Sequence, residues 1–411
     1  MGIPTKMKQY VRFWLLAAGA AALGICLSAS MLAPAGADNP VIIAVMNDQS
    51  KIYADLSGVG TVAAVHMAVE DYGGAVLGRS IKVISVDHQN DPALGANKAH
   101  ELYEQDHVDA IFDVPTSSVA LAVAGVAGQD KKILFVTTGG TDALNMAQCN
   151  KYTFHYGYDT YSLAQNTGKL ITENGGKNWY MITANYAFGQ SMLSNFTSAI
   201  KSAGGNVIHN DMVPFPNTDF SSYLINAQAL RPDVIGLMNA GDDTVNAMKQ
   251  INEFGMKKRM QVGIGLLFES DIAALGPDYW SGSTITVGSY WNLDEKTRAW
   301  AARYKKATGK MPTWVMMGNY SAVTQYLDAV ARAKTDDADA VVKQLEGYHF
   351  EDVFARHAYI RAQDHLLIHD MYVAKVKTAA EVKEPYDFLQ IVKTVPGDQS
   401  YRPLSAVTCH L

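Results

Sequence analysis

Two stretches of the chain combine hydroxyl side chains with residues that favour tight turns. Pro115-Thr116-Ser117-Ser118 and Thr137-Thr138-Gly139-Gly140-Thr141 each follow a short apolar run. Hydroxyl groups and the free backbone N–H groups of a helix N-terminus can bind an anion without a cationic side chain. The alternative for the first stretch is an ordinary helix cap. Two such loops at neighbouring strand ends suit a carboxylate, which is the chemistry that we predict here.

Aromatic side chains follow several other apolar runs. Tyr53 comes after the first such run, Tyr186 and Phe188 follow a later one, and Phe268 follows another. At the ends of strands, these rings could wall a cleft for an apolar or aromatic ligand. The alternative is core packing, since aromatic residues make up 10% of the chain.

A pair of acidic residues, Asp242 and Asp243, lies between an apolar run and a helical pattern. Their carboxylates could accept hydrogen bonds from an ammonium, amide or phenol group of a ligand. The alternative is that they cap the helix that follows them.

Sequence patterns of catalysis are absent from the chain. It contains no G-x-S-x-G, no H-E-x-x-H and no P-loop. Gly58-Val59-Gly60-Thr61-Val62-Ala63 imitates a dinucleotide fingerprint, but Gly58 comes twelve residues after the predicted strand end at Met46. In a true site the first glycine follows the strand directly. We therefore predict a protein that is not an enzyme and that carries no cofactor and no metal.

The first 37 residues have the layout of a secretory signal peptide. Lys6, Lys8 and Arg12 precede an apolar run from Phe13 to Leu27, and Ala35-Gly36-Ala37 offers a cleavage site before Asp38. The competing interpretation is a transmembrane anchor, but the run is rich in Ala and Gly. We predict cleavage after residue 37 and a periplasmic mature chain.

The composition of that mature chain limits its partners. Its 374 residues suggest two domains, and its 31 basic against 40 acidic residues give a formal net charge of −9. This charge argues against binding to nucleic acid or to an anionic membrane. Two cysteines remain, Cys149 and Cys409. In an oxidising compartment such a pair predicts a disulfide, and two buried free thiols are the alternative.

Short Val- and Ile-rich runs alternate with helical patterns, which indicates parallel sheets covered on both faces. The pattern occurs twice, with a junction near Tyr152–Asp159. The predicted strands are Val41–Met46, Ile81–Asp87, Ala110–Val114 and Ile133–Thr137, then Trp179–Thr183, Asn206–Val213, Asp233–Met238, Met260–Ile264 and Thr284–Gly288, with a closing hairpin of Met371–Val376 and Phe388–Val392. The predicted helices between them include Pro92–Gln105, Tyr161–Asn174, Glu295–Thr308, Trp314–Ala333 and Ala338–Leu345.

Taken in this order, the leader, the doubled α/β unit and the loops resemble the type I periplasmic substrate-binding proteins of ABC importers. The similarity is greatest to the leucine/isoleucine/valine-binding (branched-chain amino acid) family. It rests on Val41–Gly60, Pro115–Ser118, Thr138–Thr141, Ile182–Gly189 and Asn319–Val323. The resemblance implies two doubly wound, parallel-sheet lobes of α/β class joined by a three-segment hinge. The implied ranges are 38–157 and 289–367 for the first lobe, 158–288 and 368–395 for the second, and 396–411 for a C-terminal tail tied by the disulfide.

The resemblance also implies roles for individual residues. An α-carboxylate would lie at Ser117 or Ser118, Gly139 and Thr141, beneath Tyr53. The second lobe would contribute Tyr186, Phe188 and Phe268, while Asp242 and Asp243 replace a family tyrosine. Leu266-Leu267-Phe268 also departs from the family, whose amino-acid binders have a glutamate there, although Glu269 is adjacent.

The expected function is capture of a small carboxylate ligand, an aromatic acid or a branched-chain or aromatic amino acid. The closed form would then deliver it to a permease of the inner membrane that is driven by a separate ATPase. We expect a monomer. An amide- or urea-binding protein and a ligand-sensing regulator of the same fold are the alternatives.

Overall fold

The computed structural model describes residues 39–411. The predicted leader and its cleavage site lie outside the described residues. Among the helices of residues 39–411, none combines the length and the hydrophobicity that a membrane span requires.

The first part of the chain forms a six-stranded sheet. Its spatial order is β2-β3-β1-β4-β5-β6, and all neighbours are parallel except β2 and β3. The elements are β1 (Val41–Asn47), α1 (Gly58–Asp71), β2 (Ala75–Val76), β3 (Arg79–Asp87), α2 (Pro92–His100), β4 (Ala110–Asp113), α3 (Ser117–Asp130), β5 (Ile133–Val136) and β6 (Thr153–His155).

Both faces of the central part of this sheet are covered, which explains why β1, β4 and β5 are largely apolar and buried. Along β1, Ile43 and Val45 pack in one apolar core with Val65 of α1. Ala44 belongs to a second core, together with Val119 of α3. Alternate side chains of a strand point to opposite faces, so a strand between two helical layers needs apolar residues at every position.

The middle part of the chain forms a four-stranded parallel sheet of order β10-β9-β7-β8. Its elements are α4 (Thr160–Leu163), α5 (Lys169–Glu173), β7 (Asn178–Ala184), α6 (Ala187–Ser202), β8 (Asn206–Val213), α7 (Ser221–Leu230), β9 (Val234–Met238), α8 (Asp242–Glu253), β10 (Gln261–Ile264), α9 (Glu269–Leu275), α10 (Pro277–Trp280) and β11 (Thr284–Val287).

The last part of the chain contributes to both units. Its elements are α11 (Glu295–Thr308), α12 (Trp314–Ala333), α13 (Ala338–Leu345), β12 (His349–Phe350), β13 (Ala358–Ile360), β14 (Leu367–Ile368), β15 (Met371–Val376), β16 (Leu389–Val395) and α14 (Gly397–Ser400). Helices α11 and α12 pack on α1, whereas β15 pairs with β11 and β16. The chain therefore passes between the two units three times, after β6, after β11 and after β14.

These features confirm the predicted α/β fold with two parallel-sheet lobes. We use the ranges predicted from the sequence as the limits of the first lobe, the second lobe and the C-terminal tail. The predicted disulfide is present, with Cys149 and Cys409 joined at a Cα–Cα distance of 5.8 Å.

The local differences from the sequence prediction are small. The short strands β2, β6, β12, β13 and β14 were not predicted, and the three residues of β6 lie inside the segment interpreted as the junction. The predicted helices at 92–105 and 161–174 each contain a π-helical turn, at Glu101–Gln105 and Ala164–Gly168. Helix α2 begins with a side-chain cap, since the Asp91 side chain accepts from the N–H groups of Ala93 and Leu94 and Pro92 occupies the first turn.

Candidate functional site

Strand register brings the candidate loops to one edge of each sheet. In the first lobe Met46 pairs with Asp113, and Asp113 pairs with Val136, so the loops after β1, β4 and β5 begin side by side. In the second lobe Thr183 pairs with Met238, and Leu237 pairs with Ile264, which aligns the loops after β7, β9 and β10. Ligands of such sheets bind beyond the carboxyl ends of the strands.

A nearly closed cavity of about 10 Å³ lies where the two sets of loops meet. Four of its lining residues were predicted from the sequence: Tyr53, Tyr186, Phe188 and Phe268. The remaining lining residues were not predicted as site residues, although most lie within or next to the predicted loops: Leu56, Pro115, Thr138, Tyr158, Ala240 and Leu266.

A pair of phenols closes the cavity. The hydroxyls of Tyr53, from the first lobe, and Tyr186, from the second, are hydrogen-bonded to each other. Tyr186 also stacks on Phe215, with ring centroids 3.9 Å apart and planes inclined by 13°. Burial raises the pKa of both phenols, so each stays neutral at physiological pH. A neutral phenol can donate to or accept from a ligand.

A second aromatic contact crosses between the lobes. Phe268 stacks on Trp314 of the first lobe at a centroid distance of 5.1 Å. Tyr158 meets the same indole edge to face, also at 5.1 Å. The Tyr158 hydroxyl donates to the carbonyl of Thr138 over 2.5 Å. Five of the ten residues that line the cavity are aromatic, and both lobes contribute to them.

The residues predicted to bind a carboxylate lie beside this cavity rather than on its wall. Ser117 and Thr141 come together, since the Thr141 N–H donates to Ser117 Oγ at 3.2 Å, and both residues are buried. Gly139 packs so closely that a Cβ would lie 2.8 Å from the carbonyl oxygen of Val114. Ser118 is half-buried on the first turn of α3. Their role in ligand binding stays a prediction.

Asp113 was missed by the sequence reasoning and organises the loops of the first lobe. Its buried carboxylate accepts from Ser57 Oγ and Thr138 Oγ1, each at 2.5 Å, and from Asn47 Nδ2 at 3.0 Å. Asp113 and Val114 both have a positive φ, at 86° and 55°. The Thr138 hydroxyl is committed to this carboxylate. An acidic residue that ends an apolar strand before a hydroxyl-rich loop was the available signal.

Asp242 and Asp243 occupy different environments. Helix α8 begins at Asp242 and has no side-chain capping bond, so the alternative role as helix cap was wrong for both residues. Asp242 is exposed. Asp243 is 1% exposed, and its Oδ1 accepts from the N–H of Asn217 at 2.9 Å. Burial, together with the charge of Asp242, raises the pKa of Asp243 to about 7.

Glu269 lies directly after the cavity residue Phe268, on the first turn of α9. It is 1% exposed, and neither carboxyl oxygen has a hydrogen-bond partner among the described residues. Burial raises the pKa of Glu269 to about 8, and nearby peptide groups of Glu269 and Trp314 offset only part of that effect. The second lobe therefore has two buried, weakly acidic carboxyl groups near its aromatic residues, and near neutral pH Glu269 is mostly protonated and Asp243 about half protonated.

Comparison with known proteins agrees with this architecture. The family profile described as "Periplasmic binding protein" matches residues 40–381. A periplasmic binding protein from Burkholderia mallei is 41% identical, with 91% of this chain and 99% of that chain covered at a TM-score of 0.88. A branched-chain amino acid ABC transporter periplasmic ligand-binding protein from Burkholderia xenovorans is 34% identical, with coverages of 90% and 99% and a TM-score of 0.81.

A more distant structure shares the fold. It is the solute-binding protein of an ABC transporter from Rhodopseudomonas palustris in complex with 3,4-dihydroxybenzoic acid, 21% identical, with coverages of 87% and 98% and a TM-score of 0.79. The resemblance predicted from the sequence is thereby confirmed: the chain belongs to the periplasmic binding protein family of ABC transporters, and its similarity extends to the leucine/isoleucine/valine-binding group.

Proposed function

We propose that the protein captures a small carboxylate ligand with an aromatic body between its lobes and delivers it to an ABC permease. The supporting observation is the cavity whose aromatic walls come from both lobes and meet at the Tyr53–Tyr186 hydroxyl pair. A ligand in this position contacts both lobes, so it stabilises the closed form by its differential affinity for that form.

Helix N-termini support a negatively charged ligand. Tyr186, the residue before α6, and Pro115, just before α3, line the cavity, and Trp314 begins α12. The start of α8 is equally close, because a Cβ on Gly241 would lie 3.0 Å from the Tyr53 ring. The positive end of each helix dipole and its free N–H groups favour an anion.

The buried carboxyl groups support an aromatic hydroxy acid over an amino acid. With raised pKa values of about 7 and about 8, Asp243 is about half protonated and Glu269 is mostly protonated near neutral pH. An ammonium group would have to complete the ionisation of one of them to gain a full counter-charge, whereas a phenol hydroxyl can hydrogen-bond to the neutral form. We therefore rank aromatic acids first, amino acids second and amides or urea third.

A thermal-shift screen of the mature protein tests this order. The probes are benzoate, 4-hydroxybenzoate, 3,4-dihydroxybenzoate, phenylalanine, leucine, urea and the neutral sugars glucose and ribose. Ligand at a hundredfold excess over its Kd stabilises the folded state by about 2.7 kcal/mol, which gives a clear rise in melting temperature. We expect an aromatic acid to give the largest rise. A response to urea alone, or to neutral sugars alone, would contradict the proposal.

A further inference from the structure

The C-terminal tail joins the two lobes a fourth time. It continues from β16, which belongs to the second lobe through its pairing with β15. It ends at Cys409, whose disulfide partner Cys149 lies between β5 and β6 of the first lobe. The three crossings of the chain and this covalent link therefore make four connections between the lobes.

The tail lies directly on the crossing segments. A Cβ on Gly397 would be 2.9 Å from both the nitrogen and the oxygen of His369, which follows β14. The buried Tyr401 hydroxyl donates to the carbonyl of Gly157, in the first crossing, at 3.3 Å. Rotation of the lobes about these segments must therefore also move the tail.

Arg402 holds residues of both lobes at once. Its Nη2 donates to Asp142 Oδ2 of the first lobe at 2.6 Å and to Asn195 Oδ1 of the second lobe at 3.1 Å. Its guanidinium lies 4.4 Å from the ring centroid of Tyr161, also in the second lobe. The Arg402–Asp142 pair is shielded, with side chains 18% and 19% exposed, so it is screened less than a surface ion pair.

The partner of Arg402 is itself an interlobe contact. Asp142 follows Thr141 in the first lobe, and it accepts from Ser191 Oγ at 2.7 Å and from Asn195 Nδ2 at 3.0 Å, both on α6. When the lobes separate, Asp142 must leave α6, and Arg402 must leave either Asp142 or Asn195. The backbone of Arg402 is held as well, because its carbonyl accepts from Arg361 Nη1 of the first lobe at 2.7 Å.

We propose that the C-terminal tail is a strap that favours the closed conformation of the ligand-free protein and limits how far the lobes open. Arg402 is the positioning residue of this strap, and the Cys149–Cys409 disulfide anchors its far end. The proposal goes beyond ligand capture and does not depend on which ligand binds, because it concerns the ligand-free molecule.

The test compares ligand-free variants by small-angle X-ray scattering and by hydrogen exchange of the first turn of α6. The variants are Arg402→Gln, which keeps the disulfide, and Cys149→Ser/Cys409→Ser, which keeps the arginine. Arg298→Gln is the matched control, since Arg298 is exposed and donates to Asn292 within the first lobe. We expect the closed-to-open ratio to fall about tenfold in Arg402→Gln, with a larger radius of gyration, and to stay unchanged in the control.

Two results would overturn the proposal. The first is a closed scattering profile and unchanged exchange in Arg402→Gln and in the cysteine variant, even with a lower melting temperature, because the tail would then only stabilise the fold. The second is a wild-type protein that is already as open as the variants. If the cysteine variant fails to fold, Arg402→Gln decides the question alone, because its disulfide is intact.

Discussion

Two neutral phenols meet at the centre of the cleft, and each is the hydrogen-bond partner of the other. Tyr53 is 2% exposed and comes from the loop after β1, while Tyr186 precedes α6. Burial keeps both hydroxyls protonated, so the pair can close without a charge. A ligand that separates them has to replace this hydrogen bond with its own polar groups.

The phenol pair predicts non-additive substitutions. Tyr53→Phe or Tyr186→Phe leaves one buried hydroxyl without a partner, which costs about 1–3 kcal/mol, whereas replacing both partners can be nearly neutral. We expect the double variant to lose clearly less stability than the sum of the single variants in urea unfolding. Tyr320→Phe, which removes a phenol bonded to Asp71 far from the cleft, is the control. Strictly additive losses would show that the two hydroxyls are not coupled.

The predicted carboxylate site gives a second prediction at this scale. Removing one donor to a charged group costs about 1.5–3 kcal/mol of affinity. We expect Ser117→Ala combined with Thr141→Val to weaken binding of the best aromatic acid at least tenfold in calorimetry. Ser202→Ala is the control, because Ser202 is the last residue of α6 and lies at the end of that helix opposite to Tyr186. Unchanged affinity in the double variant would reject this placement of the carboxylate.

The aromatic half of the cavity was easier to predict from the sequence than its polar half. Tyr186 and Phe268 carry large rings, and each follows a strand. This pattern is visible in the amino-acid sequence itself. The polar groups of the site depend on contacts between residues far apart in the sequence. The Thr138 hydroxyl donates to Asp113, and the Asp243 carboxyl accepts from the N–H of Asn217. The local sequence does not specify which hydroxyl groups form such hydrogen bonds within the protein and which stay free to bind a ligand.

Helix starts and tight loops, rather than strands, determine how closely the lobes approach. Gly140 is the clearest example, because a Cβ there would lie 2.5 Å from Tyr158 and 3.1 Å from Phe188 of the second lobe. Periodicity in the sequence predicted the positions of most strands and helices along the chain, whereas the spatial order of the strands was not predicted. The three-residue strand β6 and the π-helical turns were not predicted, because they are too short to produce a periodic pattern in the sequence.

Gly140→Ala should hold the lobes apart. The added methyl group would press on the rings of Tyr158 and Phe188, so we expect affinity for the best aromatic acid to fall at least tenfold, with little loss of thermal stability. Gly125→Ala is the control: Gly125 lies inside α3 with nothing within 4 Å of the added Cβ, and alanine there should stabilise by about 0.5–1 kcal/mol. Equal affinities in the two variants would show that a methyl group at residue 140 does not hold the lobes apart.

Glu269, where α9 meets α12, predicts a dependence of stability on pH. Its pKa is raised from 4.5 to about 8, so the protonated group supports the folded state fully below pH 4.5, and this contribution is lost as the pH rises through 8. Each unit of pKa difference corresponds to about 1.4 kcal/mol. We expect Glu269→Gln to match the wild-type melting temperature near pH 5 and to exceed it by about 2 °C or more at pH 9. If the melting temperatures of the variant and the wild type differed by the same amount at pH 5 and at pH 9, ionisation of the Glu269 carboxyl would be excluded as the cause of that difference.

At the scale of the whole molecule, three crossings and a disulfide-anchored tail hold two lobes around one small cavity. The cysteine pair was predicted from the compartment, since two thiols that survive export tend to form a disulfide. Its consequence could not be predicted, because the sequence does not show that the tail runs back over Gly157 and His369 to reach the first lobe. The order of elements predicts a fold, whereas the path of an irregular tail depends on its contacts.

The leader gives the last prediction, because both the disulfide and the function in solute capture require an extracytoplasmic compartment. Cleavage after Ala37 would leave a mature chain that begins at Asp38, one residue before the described structure. We expect mass spectrometry of the periplasmic fraction to find this N-terminus. Ala37→Leu, with a bulky residue at the small-residue position, should leave most of the precursor uncut and membrane-associated. An intact wild-type N-terminus, or one lipidated at Cys26, would show that the protein is anchored rather than released.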